Sequence, residues 1–149
     1  MAMDIILVPI DFSDVTARVV ATAKEFALAF GSKVVLLHVA DPEPEFVGFK
    51  PGPIEVRTDV AADLRRERQE LEKIKVEFGG GTLNVTALNV QGPAAEKIVH
   101  ESRALNVSLI VMGSHGHGAL HHLLAGSVTT GVLKAAACPV VVVPSGKAS

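Results

Sequence analysis

The sequence predicts an α/β fold: an open, mostly parallel sheet doubly wound by helices, in one domain spanning residues 1–149. Three observations carry this. Five short segments rich in Val, Ile and Leu lack the polar alternation of a half-solvated strand, so each reads as a strand covered on both faces. Four segments with apolar residues at helical spacing lie between them, and strict strand–helix alternation builds parallel sheets. The chain of 149 residues, 48% hydrophobic and 20% charged, is long enough for one core and too apolar to stay disordered.

The elements follow in order. Asp4 to Ile10 is the first strand. The first helix carries Val15, Val19, Ala23, Phe26 and Phe30, with Ser13 as the expected N-cap, Asp14 in the first turn and Gly31 after the last. Lys33 to Val39 is the second strand, in which His38 reads as a core or strand-end imidazole satisfied by backbone. Asp41 to Pro53 has four prolines, two glycines, Phe46 and Phe49 and no period, so 41–56 reads as a long loop, either a surface excursion or a lid over a site at the strand ends. The second helix carries Leu64, Leu71, Ile74 and Phe78, and its run Arg65 to Glu70 alternates in charge as a solvated face does. Thr82 to Val90 is a weaker, more polar third strand. Gly92-Pro93 opens the third helix with proline at its first position, ahead of Ala95, Ile98, Ser102 and Leu105. The fourth strand is Ser108 to Met112. Gly126-Ser127 opens the fourth helix, which carries Val128, Val132 and Ala136. Cys138 precedes the last strand, Pro139 to Val143, and reads as a small buried hydrophobe.

Composition excludes several partners. A formal charge of −2 gives no electrostatic footprint for a phosphate backbone, and the absence of Trp and Tyr removes the stacking faces that single strands need, so nucleic acid is not expected. The apolar runs are too short to cross a bilayer, and a lone cysteine without a leader-like opening points to the cytoplasm. No catalytic signature completes itself. Gly146-Lys147 is followed by Ala148 rather than the hydroxyl of a Walker loop, and His121 stands where a dinucleotide fingerprint needs its third glycine. His100-Glu101 lacks a second histidine at Ala104, and no Gly-x-Ser-x-Gly elbow occurs.

One motif stands out directly after the fourth strand. Residues 113–127 have the spacing Gly-x2-Gly-x9-Gly-Ser, with glycines at 113, 116 and 126 and Ser127 next to the last. Glycines at 113 and 116 let backbone approach a ligand closely, and Gly126-Ser127 places free N–H groups at a helix start, where phosphate is favoured. The alternative is a plain strand-to-helix connection with Ser127 as its cap. Topology favours the ligand. In a sheet of order 3-2-1-4-5 the first and fourth strands are neighbours at the switch point, where ligands bind outside the carboxyl ends. Asp11, after the first strand, and Met112-Gly113, at the end of the fourth, then flank one crevice. His115, His117, His121 and His122 also admit a transition-metal reading, although His-x-His has no evident third ligand and no metal site is assigned.

With these residues in place the chain resembles the universal stress protein family, and specifically its ATP-binding branch. The resemblance covers almost the whole length: Ile-Leu-Val-Pro-Ile-Asp-Phe-Ser-Asp at 6–14, His38-Val39, Gly92-Pro93, the glycine motif without a gap, and Cys138-Pro139 before a valine strand. It implies a Rossmann-like, adenine nucleotide alpha hydrolase-like fold and a stress-linked regulator or sensor binding ATP, ADP or AMP, with Mg²⁺ accompanying the nucleotide. By the same resemblance the base meets backbone at Pro9 and Val39, and Asp11 contacts the ribose side. Met112 and Gly113 line the site, and the phosphates lie on Gly113, Gly116, Gly126 and Ser127 with Val128 and Thr129 at the helix start. His115 and His117 lie in the phosphate loop. Many nucleotide-binding members carry Lys or Arg where this chain has His117, and since the reference pKa of a histidine imidazole is ~6.5, phosphate affinity is expected to be tighter at pH 6 than at pH 8 through His115 or His117. The resemblance further implies a homodimer through 139–144, whose uncharged edge strand needs a cover. No catalytic residue is assigned, since nothing matches a Walker lysine or arginine finger, and at most slow ATP hydrolysis is expected. The alternative within the family is a dimeric interaction module that binds no nucleotide.

Overall fold

The computed structural model describes residues 3–40, 54–79, 81–114 and 127–145, with the backbone alone for 54–60 and 127. The stretch 41–53, read as loop or lid, and His115, Gly116, His117, His121, His122 and Gly126 lie outside the described residues. The elements are β1 (Ile5–Pro9), α1 (Thr16–Phe30), β2 (Lys33–Ala40), α2 (Ile54–Gly79), β3 (Val85–Gln91), α3 (Ala94–Ala104), β4 (Leu109–Gly113), α4 (Ser127–Ala135) and β5 (Val140–Val143). The sheet has the order β3-β2-β1-β4-β5, and every pairing is parallel. This is the parallel, doubly wound sheet that the alternation predicts and the Rossmann-like architecture that the resemblance implies. Positions 54–56 belong to α2 rather than to the loop.

Strand alternation divides the core into two layers. Ile6, Val8, Val34, Leu36, Leu109 and Val111 pack against α1 and α2 through Val15, Val19, Ala23, Ala27, Leu71 and Phe78. Leu7, Leu37, Ile110 and Met112 point the other way, to Ile98 and Val99 of α3 and Val132 of α4. The two helix pairs therefore part on either side of the β1/β4 junction, which is what opens a crevice there.

Four expectations need correction. Ser13 does not cap α1: the N-cap position falls on Val15, and the buried Ser13 hydroxyl has no partner among the described residues. Its backbone N–H donates instead to Asp11 Oδ1 at 3.0 Å, a turn that delays the helix by two residues and leaves Asp14 outside its first turn. Phe30 is exposed and stacks on Phe26 with centroids 6.3 Å apart, because the buried stripe continues through Ala27. Pro93 is the extended N-cap of α3 rather than its first helical residue. Glu67 does not belong to a wholly solvated face: it turns inward to His38.

Candidate functional site

The site begins where β1 stops. Ile10 N–H makes the last backbone bond to β2, at the Leu37 carbonyl, 2.8 Å away. The chain then bends through Asp11 and Phe12, whose φ of 60° is unusual for a residue with a side chain, before entering α1. On the opposite side β4 ends at Gly113, and the first turn of α4 is tied to it by Thr129, whose buried hydroxyl donates to the Gly113 carbonyl at 2.9 Å.

A crevice of about 90 Å³ lies between these ends. Pro9, Asp11, Val39, Met112, Gly113, Val128 and Thr129 all line it, so seven of the predicted site residues meet at one place. Ser127 is the first residue of α4, at the same end of the sheet. His115, Gly116, His117 and Gly126, which carry most of the expected phosphate contacts, lie outside the described residues. A larger, more open groove of about 520 Å³ between α1 and α2 contains none of the predicted residues.

The wall also holds residues that sequence reasoning missed. Val15, Val19, Leu37 and Ile98 supply an apolar lining, and Thr16 brings a buried hydroxyl that has no partner among the described residues. A threonine next to the apolar stripe of α1 was the available signal. Asp11 is the one charged side chain on the described wall. An apolar slot with backbone edges, one carboxylate and a helix start suits a flat uncharged ring carrying an anionic tail.

The remaining chemistry-bearing groups are committed elsewhere. His38 is buried, with Nδ1 donating to the Ile10 carbonyl at 2.8 Å and Nε2 3.0 Å from Glu67 Oε2, so its partners are backbone, as expected, and one carboxylate besides. Cys138 is half-buried, and that burial pushes its thiol up, away from nucleophilic reactivity. Among the described residues no three His, Cys, Asp or Glu side chains gather as a metal site, and no helix is long and apolar enough to cross a membrane.

Comparison with known proteins agrees with this fold. The profile of the universal stress protein family matches residues 3–144. The universal stress protein in the QAH/OAS sulfhydrylase 3′ region of Thermus aquaticus is 34% identical over 138 residues, covering 93% of this chain and 96% of that one. The solved structure of MJ0577, a universal stress protein of Methanocaldococcus jannaschii, superposes with a TM-score of 0.83 at 33% identity and full coverage of both chains. A universal stress protein of Archaeoglobus fulgidus solved in complex with dAMP shares the fold at 21% identity and a TM-score of 0.62, covering 95% of this chain and 98% of its own. With a matching profile over nearly its whole length and relatives above 30% identity, this chain belongs to the universal stress protein family.

Proposed function

We propose that the crevice binds an adenine nucleotide, ATP or its di- or monophosphate, and that the protein acts as a nucleotide-responsive stress regulator in the cytoplasm. The observation that carries this is the convergence of Pro9, Asp11, Val39 and Gly113 with the first turn of α4 at the switch point of the sheet. The complex of the Archaeoglobus relative with dAMP supports the choice of adenine. In this reading the base slides between Val39, Leu37 and Ile98 and meets the backbone of Pro9 and Val39. Asp11 accepts from the ribose, and the phosphates rest on backbone N–H groups of the 113–127 motif. Asp11, a hard oxygen donor, also suits a Mg²⁺ ion that arrives with the phosphates, the ion supplying charge neutralisation there. The chain is one domain over 1–149, and β5 serves self-association.

The test is to denature purified protein, identify any nucleotide released, and titrate ATP calorimetrically at pH 6 and pH 8 with the wild type and with Gly126→Val. Bound or titrating adenine nucleotide that weakens in the variant supports the reading, and tighter binding at pH 6 assigns a phosphate contact to His115 or His117. No nucleotide in either protein and no titration signal would overturn the reading and leave the dimeric interaction module.

A further inference from the structure

We propose that His38 is a positioning residue: its imidazole occupies the Ile10 carbonyl and so keeps the Val39 backbone amide unpaired and facing the crevice. The use of that amide rests on the nucleotide reading above, but the geometry stands apart from it.

Successive residues of a strand direct their backbone N–H and C=O to opposite neighbours. In β2, Val34 N–H donates to the Asn84 carbonyl and the Ala40 carbonyl accepts from Gly92 N–H, so even-numbered residues face β3. Lys33 N–H donates to the Asp4 carbonyl and the Leu37 carbonyl accepts from Ile10 N–H, so odd-numbered residues face β1. Val39 therefore aims its amide at the β1 side. A parallel ladder extended by one step past the Ile10–Leu37 bond would place Val39 N–H on the Ile10 carbonyl. The pairing of β1 with β2 instead stops at Pro9 and Leu37, and the Ile10 carbonyl receives His38 Nδ1 at 2.8 Å. Among the described residues no backbone bond joins Ile10 to Val39.

The ring is held for this task. Ile10 oxygen can only accept, so Nδ1 carries a hydrogen. The second nitrogen lies 3.0 Å from Glu67 Oε2 on α2, so the ring is held at both nitrogens. The His38 side chain is only 9% exposed, and the Phe12 ring, set by its left-handed backbone, lies against it with centroids 4.6 Å apart. Glu67 and Phe12 thus orient an imidazole that ends the ladder one bond early. The freed Val39 edge carries one donor and one acceptor, which fits a ring bearing an acceptor nitrogen beside an amino group.

Amide hydrogen exchange of the ligand-free protein, followed residue by residue with NMR, tests this. In the wild type the Val39 amide exchanges freely while those of Val35 and Leu37 are protected. In His38→Ala the released Ile10 carbonyl takes up Val39 N–H, slowing its exchange by about tenfold, the factor of one ordinary backbone hydrogen bond. His38→Asn, whose amide nitrogen falls near the position of Nδ1, restores free exchange. ATP affinity follows: about tenfold weaker in His38→Ala and near wild type in His38→Asn. A Val39 amide already protected in the wild type overturns the proposal whether or not any variant folds. So does a folded His38→Ala in which Val39 exchange is unchanged. A wild type that binds no adenine nucleotide overturns the proposed function instead, and the exchange result still decides the role of His38.

Discussion

Gly31 closes α1 in the left-handed region, at φ 66° and ψ 34°, with its N–H donating to the Ala27 carbonyl. A Cβ there would meet nothing within 4 Å, so the penalty of Gly31→Ala is conformational alone. We expect it to lower stability by about 1 kcal/mol, a fall of about 3 °C in Tm by calorimetry for a chain of this size. An unchanged Tm would show that the helix end relaxes to another cap. This position was legible in the sequence because glycine after an apolar helical stripe has one common use. The other end of α1 was not. Ser13, Asp14 and Asp11 are all cap-type residues, and only the geometry shows Asp11 taking the Ser13 N–H, which bends the chain across the crevice mouth before the helix starts. Glu67 was illegible for a similar reason: within Arg65 to Glu70 nothing distinguishes the one charge that turns inward, since its partner His38 is 29 residues away.

Between elements, α4 meets α3 tightly at Gly131. A Cβ at that position would sit 2.8 Å from the Ala95 Cβ, nearer than such atoms come, so these helices are closer here than a side chain at 131 would allow. The contact matters for the site because α3 contributes Ala94 and Ile98 to the crevice and α4 contributes Val128 and Thr129. Gly131→Val must push the helices apart, and overpacking of this kind costs about 2 kcal/mol. The expected outcome is a lower denaturant midpoint together with weaker ATP binding, since Val128 and Thr129 move with α4. A midpoint at or above wild type would mean that the improved helix propensity outweighs the clash. The apolar stripe of α4, Val128 and Val132 with Ala136 just past its end, could be read from spacing, but a helical glycine reads only as lost propensity until a neighbouring helix is seen against it.

At the scale of the molecule, strand–helix alternation and the doubly apolar strands were enough to give a parallel, doubly wound sheet, and its order β3-β2-β1-β4-β5 sets β1, which leads into Asp11, beside β4, which ends at Gly113. It also left β5 at one edge, bonded among the described residues only to β4. Val140, Val141 and Val142 are half-buried and Val143 is buried, so one side of this strand is finished and the other is not. Alternation shows which backbone groups remain. Ile110 N–H donates to the Pro139 carbonyl and Ser114 N–H to that of Val143, so odd-numbered residues face β4 and Val140 and Val142 present their N–H and C=O outward. An uncharged edge with unpaired groups recruits another strand, and a second copy of itself about a two-fold axis satisfies both. Charging Val143 would test this poorly, because its side chain belongs to the core. Val142→Pro removes an outward N–H and leaves the bonds to β4 in place. Sedimentation should then show the wild type at twice the mass of the chain and the variant at the monomer mass, with far-UV circular dichroism unchanged. A monomeric wild type, or a folded variant that keeps the doubled mass, would mean that β5 is covered by something other than its own copy.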